Sequence, residues 1–415
     1  MATVCRSGNR LVSAAKLSVS GSLRKTLPTY ALFLVSEIVW MAIVPVAPSF
    51  ADKLDLSKVE VGAVLASAGL ATLIVSLPIG LVSDRIGTRG LLRWSAAVVA
   101  VSTLGQGLAT DFWSLLAARA LFGAALGTIW TAGLAWIADG GTRRRGPSAL
   151  GAPVVIAGIG IMTGPAFAGL LADRFGLRAP FIVLAIMAAL VTVGLLVWST
   201  EGGSYGHEPL FATLRKARGD RVVLGALVVM VAVGATGGGV NVLVPLGLKA
   251  DGFSAGETGI VFTGASTLFV AASVVVNRLG GRGVSLRVAG LAALLYAGTM
   301  GLTVVSLASA ALVTFAILRA PLWATLSTLA YPLGALGAKR AGLGAGAIMG
   351  VLNFAWGAAG SLSPLLAGGI AQTAGLRTAF VVLLAGLAAA GVWLLGADVA
   401  PEIGAEPVAV AEMDG

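Results

Sequence analysis

Long apolar runs separated by short polar breaks recur along the chain from Leu27 to Leu395. A hydrocarbon core about 30 Å thick is crossed by a helix of about 20 apolar residues. Runs of that length fall near 28–50, 59–82, 90–110, 112–137, 147–171 and 179–199. A second series falls near 222–247, 256–277, 284–307, 309–336, 342–371 and 377–396. The pattern predicts an all-α polytopic membrane protein with twelve transmembrane helices in two six-helix bundles. Its expected parts are a basic arm at 1–27, a bundle at 28–199, a polar linker at 200–221, a bundle at 222–396 and an acidic tail at 397–415. The arm carries Arg6, Arg10, Lys16, Arg24 and Lys25 without an acid, and Lys16 interrupts its apolar stretch, so it reads as a disordered cytoplasmic segment rather than a signal peptide. Its composition also leaves an organellar transit peptide open.

The two series are copies of one another. Arg119 in "LLAARAL" corresponds to Arg319 in "FAILRAP", and Pro45 to Pro245. Pro165, Gly169, Gly176, Arg178 and Phe181 reappear at near-constant spacing as Pro364, Gly368, Gly375, Arg377 and Phe380. Six helices per copy give both copies one orientation, related by an axis along the membrane normal, with a binding cavity expected between them.

Composition supports the membrane reading. The 415 residues are 57% hydrophobic and 11% charged, against roughly 25% charged in soluble domains. The 58 glycines read as close helix packing in lipid. A net charge of +10 raises the question of nucleic acid, but the basic residues sit in short loops. Lys53, Lys58, Arg174, Arg178, Lys249 and Arg377 fall on one side, Arg119 and Arg319 fall inside spans, and the remaining bases fall on the other side. The positive-inside rule then places both termini in the cytoplasm and the protein in the plasma (inner) membrane, with the bilayer and not nucleic acid as partner. A lone Cys5 and a lone His207 give neither a disulfide nor a zinc constellation, so no cofactor or metal is expected. The chain has no phosphate-cradling G-x-x-x-x-G-K-[ST] loop, so an ion or solute gradient must drive any work. It lacks a cluster of acid, base and nucleophile, and so reads as no enzyme.

One polar knot stands out between spans two and three, "GLVSDRIGTRG" at 80–90, and "NRLGGRG" at 277–283 repeats part of it with Asn277 in place of Asp84. Gly80, Asp84, Arg85, Gly87 and Arg89 fit the loop pattern G-x-x-x-D-R-x-G-x-R. On this and the two sets of six spans, the chain resembles the major facilitator superfamily of secondary transporters. In span five, Gly151, Gly160, Gly164, Pro165 and Gly169 fit G-x8-G-x3-G-P-x3-G, a pattern of that family's drug:proton antiporters with twelve spans. Arg119 and Gly123 are similar to the family's R-x-x-Q-G motif, with Phe122 where glutamine is usual, which puts a proton relay there in doubt. Pro45 and Pro48 resemble the proline pair ending span one in these exporters. The resemblance implies alternating access and export of a drug-like compound or metabolite in exchange for protons, by a monomer.

The residues themselves nominate the chemistry. Glu37 is the one acid well inside a span, about 14 Å from its start at Pro28, and an intramembrane acid is a functional candidate. Glu37 and Arg119 are expected to meet, either as an alternating pair that couples protonation to transport or as a permanent structural pair. The residues alone leave sodium open as the coupling ion. Arg319 either receives an anionic group of the substrate, with Trp323 as a cation–π partner, or pairs with Glu37 across the cavity. Asn241 and Asn353 either bond between helices or line the cavity, and Trp40, Trp323 and Trp356 are candidates for an apolar wall. Asp84, Arg85 and Arg89 form either an inner gate or a topology anchor, with Asp139 a further gate candidate. An importer or facilitator of an organic anion, and a non-transporting membrane sensor, are the competing readings.

Overall fold

The computed structural model describes residues 4–136, 151–198, 220–279, 284–341 and 345–397; the side chains of 4–26, 76–78, 80–86, 134–135, 151–154, 198, 279, 345–347 and 349 lie outside that description. Among the described residues the fold is wholly helical. The first six helices are α1 (Val4–Leu54), α2 (Lys58–Ile86), α3 (Thr88–Leu108), α4 (Phe112–Trp136), α5 (Gly151–Phe175) and α6 (Ala179–Trp198). The second six are α7 (Arg221–Ala250), α8 (Ala255–Leu279), α9 (Leu286–Val305), α10 (Ser309–Arg340), α11 (Ala345–Thr373) and α12 (Leu376–Gly396). These positions follow the apolar runs to within about a turn, with one exception. The helix of the first span already begins at Val4, so the arm expected to be disordered continues that helix.

Eleven of the twelve described helices are long and apolar enough to cross a membrane, making this a multi-pass membrane protein. The other is α3, whose Ser95, Ser102, Thr103 and Gln106 are all buried. Its polar face turns into the bundle against α4 and α6, which lowers its mean hydropathy without exposing it to lipid.

Local sequence explains several helix starts. Ser57 and Glu60 form a capping box at α2: Ser57 N donates to Glu60 Oε2 at 2.8 Å and Glu60 N donates to Ser57 Oγ at 3.3 Å. Ser254 and Glu257 repeat it at α8, with distances of 2.8 and 3.1 Å. Asp220 caps α7 by accepting from Val222 N and Val223 N. The turns into α6 and α12 each use a glycine at positive φ, Gly176 at 85° and Gly375 at 90°.

Packing follows the same repeat. In the first half α1 packs on α5, α2 on α4, and α3 on α4 and α6. Their counterparts α7 on α11, α8 on α10, and α9 on α10 and α12 do the same in the second. The halves join through two equivalent seams, α2 with α11 and α5 with α8. At one seam a Cβ on Gly62 would overlap the Pro364 carbonyl, and at the other a Cβ on Gly259 would overlap the Pro165 carbonyl. Both prolines stay inside continuous helices, and each seam is a backbone-to-backbone approach that only a glycine admits.

Candidate functional site

The seams are held together at the end of the bundle that carries the short turns 55–57, 176–178, 251–254 and 374–375. Here Lys58 Nζ donates to the Ala371 carbonyl at 3.4 Å and Val59 N to Gln372 Oε1 at 3.1 Å. At the other seam Gly256 N donates to Asp173 Oδ2 at 2.9 Å, and Ala166 N to Thr263 Oγ1 at 3.1 Å. Lys249 of α7 and Asp52 of α1 add an ion pair at 3.0 Å. Both partners are well exposed, and such a pair is worth about 0–1 kcal/mol. Packing and hydrogen bonds between side chains and backbone therefore hold most of this end together.

Glu37 lies in the middle of the first half and is only 5% exposed. Its Oε1 accepts from Trp130 Nε1 of α4 at 2.8 Å. Phe33 of α1 meets the Trp130 ring edge-on, with centroids 5.1 Å apart, which fixes the indole. From the other side α5 comes close at two glycines: a Cβ on Gly160 would crowd Glu37 Cβ, and one on Gly164 would crowd the Ile38 carbonyl. The span-five pattern therefore does two jobs, since Gly169 sits on the other seam against the Ala255 carbonyl of α8.

The expected Glu37–Arg119 pair is not formed. Arg119, 2% exposed, turns its guanidinium onto the backbone of α1, donating to the carbonyls of Val39 at 3.3 Å and Trp40 at 2.8 Å. The reason is register: Arg119 and Trp130 stand about 16 Å apart along α4, so the tryptophan meets the carboxyl while the arginine meets α1 toward the closed end. Pro45 lies beyond those carbonyls inside the continuous helix, and its missing N–H loosens the backbone ladder there. Phe122, where the family motif has glutamine, is fully buried with its ring 5.1 Å from the guanidinium, and Trp40 lies at 5.3 Å. A carboxamide oxygen reaches Arg119 from another helix instead, Gln106 Oε1 of α3 at 3.5 Å.

The second half is built differently. Arg319 is 6% exposed and lies 5.7 Å from the Trp323 ring, but among the described residues it has no hydrogen-bond partner, and its Nε is buried without one. It does not pair with Glu37. Trp323 is pinned by its Nε1 to the Val233 carbonyl at 3.0 Å, by Phe269 at 4.8 Å, and by contact over Gly237. Asn241 is half-buried and likewise without a described hydrogen bond. Asn353 accepts from the Tyr331 hydroxyl at 2.6 Å, a bond between α11 and α10, and Trp356 is 45% exposed.

The polar knot is described in part. Gly87 has φ 80° in the α2–α3 turn, a left-handed geometry that explains a glycine there, and Arg89 is half-buried in the first turn of α3. Gly80, Asp84 and Arg85 lie on the last turns of α2 and Gly151 begins α5, but the surroundings of these four, and Asp139 altogether, lie outside the description.

Sequence reasoning missed Trp130 and Gln106 as partners, and it missed the closed-end contacts of Asp52, Asp173 and Gln372. The capping boxes were visible as Ser-x-x-Glu at 57–60 and 254–257. The partnerships of Trp130 and Gln106 had no local signal.

The Major Facilitator Superfamily model matches residues 29–349. Among curated relatives, Multidrug resistance protein 2 of Bacillus subtilis is 31% identical over 157 residues, 37% of this chain and 39% of that protein. The Probable vesicular acetylcholine transporter-B of Danio rerio is 33% identical over 173 residues, 39% of this chain and 35% of that protein. These matches span little more than a third of the relatives' length. Among solved structures, a bacterial homolog to human lysosomal transporter Spinster, inward-facing and unoccupied, superposes with TM-score 0.74 at 15% identity, covering 91% of this chain and 97% of that one. The nucleoside transporter NupG, in a mutant form, superposes with TM-score 0.73 at 12% identity, covering 90% and 99%. At these identities the likeness concerns the fold.

Proposed function

The chain belongs to the Major Facilitator Superfamily, and we propose that it is a secondary active transporter that exports a small organic molecule against an inward flow of protons by alternating access. Family membership makes it a transporter and not an enzyme. The observation that carries the finer reading is the buried Glu37 carboxyl, held by a neutral indole N–H at 2.8 Å rather than by a cation. Such a carboxyl can gain or lose a proton without breaking an ion pair, and each change alters how α1, α4 and α5 meet.

Alternation is supported by the closed short-turn end, where the halves meet through glycine seams and a few hydrogen bonds that a rocking motion can break together. The positive-inside bias supports placing that end outside and the linker end, with both termini, in the cytoplasm of the plasma membrane. Asp84, Arg85, Gly87 and Arg89, with Gly80 and Asp139, then lie where the inner gate would form. Export is supported by the span-five glycine pattern and by the name of the Bacillus subtilis relative, a multidrug resistance protein. A second reading, an importer or facilitator of an organic anion, is favoured by one observation, that Arg319 has no hydrogen-bond partner among the described residues.

The test is uptake of amphipathic fluorescent dyes, one anionic and one cationic, into inverted membrane vesicles energised with a proton gradient, comparing the intact protein with Glu37→Gln. Gradient-dependent uptake that disappears in the variant is the expected result. Uptake unaffected by Glu37→Gln overturns proton coupling through this residue.

A further inference from the structure

We propose that Arg319, Asn241 and Trp323 form an anion subsite in the second half, and that the transported molecule carries a carboxylate, sulfonate or phosphate group that docks there. The proposal takes its purpose from the transport reading but rests on its own geometry.

Charge comes first. Arg319, 6% exposed as a residue and placed about 15 Å along α10 from Ser309, carries a charge that is costly to bury in a membrane protein unless something neutralises it. Trp323, at 5.7 Å, supplies a cation–π contact, which leaves the charge and the donors of the guanidinium uncompensated. The repeat shows that this is not an accident of burying an arginine there. Its copy Arg119 reaches carbonyls at 3.3 and 2.8 Å, whereas Arg319 makes no corresponding bond to α7. Beside it stands Trp323, whose ring lies over Gly237, the position corresponding to Glu37. The second half therefore has an indole where the first has its acid.

Geometry then adds a neutral polar group. Trp323 touches Gly237, so these positions mark where the facing sides of α10 and α7 meet. Arg319 is one turn from Trp323 toward the closed end, and Asn241 is one turn from Gly237 in the same direction. Residues four apart share a helix face, so Asn241 is placed across from Arg319. A carboxamide N–H and a planar guanidinium fork, both lacking partners, suit a planar or tetrahedral oxyanion. The Trp323 and Phe269 rings, 4.8 Å apart, offer an apolar wall beside it. The ligand chemistry is thus an oxyanion attached to an apolar or aromatic body.

The experiment is equilibrium dialysis of the full chain in lipid nanodiscs, with empty nanodiscs as background. Three probes share one ring system: naphthalene-1-sulfonate, neutral 1-naphthalenemethanol and cationic 1-naphthylmethylammonium. The intact protein should bind the sulfonate saturably and about ten-fold or more tighter than the neutral probe. Arg319→Gln should bring the sulfonate down to the neutral probe's affinity and leave the neutral probe unchanged, while Arg319→Lys should keep part of the preference. Asn241→Ala removes no charge and should weaken the sulfonate several-fold; it carries the test if Arg319→Gln does not fold. The idea is overturned if the sulfonate shows no preference over the neutral probe, if Arg319→Gln leaves that preference intact, or if both probes are lost together. No gradient is used, so failed proton coupling would leave this result standing, and a missing anion preference would leave export of a neutral or cationic solute standing.

Discussion

Arg119 and Arg319 occupy the same place in two copies of one six-helix unit, yet one is bonded into its neighbours and the other is not. Arg119 is stitched to the α1 backbone and flanked by Trp40 and Phe122. Arg319 has one aromatic contact and no described hydrogen bond. Both leave Nε unpartnered, so the difference lies at the outer guanidinium nitrogens. The duplicated fold keeps the position of the charge while its surroundings differ, with carbonyls and two rings about Arg119 and one ring beside Arg319. In the proposed reading the chemistry left free for work in the first half is the Glu37 carboxyl, and in the second it is the guanidinium.

The comparison breaks most visibly in transport. Glu37→Gln keeps the size and the contact with Trp130 while removing ionisation, and gradient-driven dye uptake should fall at least about ten-fold, with the folded fraction on size-exclusion chromatography unchanged. Next in size is stability. Arg119→Gln strips the Val39 and Trp40 carbonyls of buried donors and should destabilise the protein by about 2–3 kcal/mol, seen as a lower thermal midpoint in detergent. Arg319→Gln removes a cation that has no bonds to lose, and its stability should stay within about 1 kcal/mol of the native protein. Equal losses at the two arginines would show that both are structural and would erase the contrast. Smallest is the closed end. Asp52→Asn should change stability by no more than about 1 kcal/mol, but should lower the closed-end population read from spin labels at Asp55 and Gly252. Raising salt should shift the native protein the same way.

Much of the fold was legible because lipid imposes a strong local rule. A span must be apolar along its length, so every helix could be placed near its apolar run, including α3, whose polar residues face the bundle. The repeat was legible in Arg119 with Arg319 and Pro165 with Pro364, and the structure adds that both prolines supply the carbonyls of the seams. The arm was misread because nothing in its composition told a continuing helix from a disordered lead. Within the site, burial of Glu37, Arg119 and Arg319 could be foreseen from their depth in apolar runs. Their partners could not. Glu37 and Arg119 were matched as opposite charges at similar depth, but α4 presents Trp130 to the acid and α1 presents carbonyls to the arginine.

What the chain by itself determined, then, is where helices run, how many there are, that they form two like sets, and which few charges lie within them. Those properties depend on transfer of each residue into lipid and on helix period, both summed locally along the sequence. Only the tertiary structure decided that Gln106 reaches Arg119 where Phe122 replaces the motif's glutamine, that glycines at 62 and 259 let the halves close at one end, and that Trp323 lies over Gly237 beside an unbonded Arg319. Those outcomes depend on the relative rotation and depth of helices far apart in sequence, where a shift of one residue turns a side chain by about 100° and exchanges one partner for another.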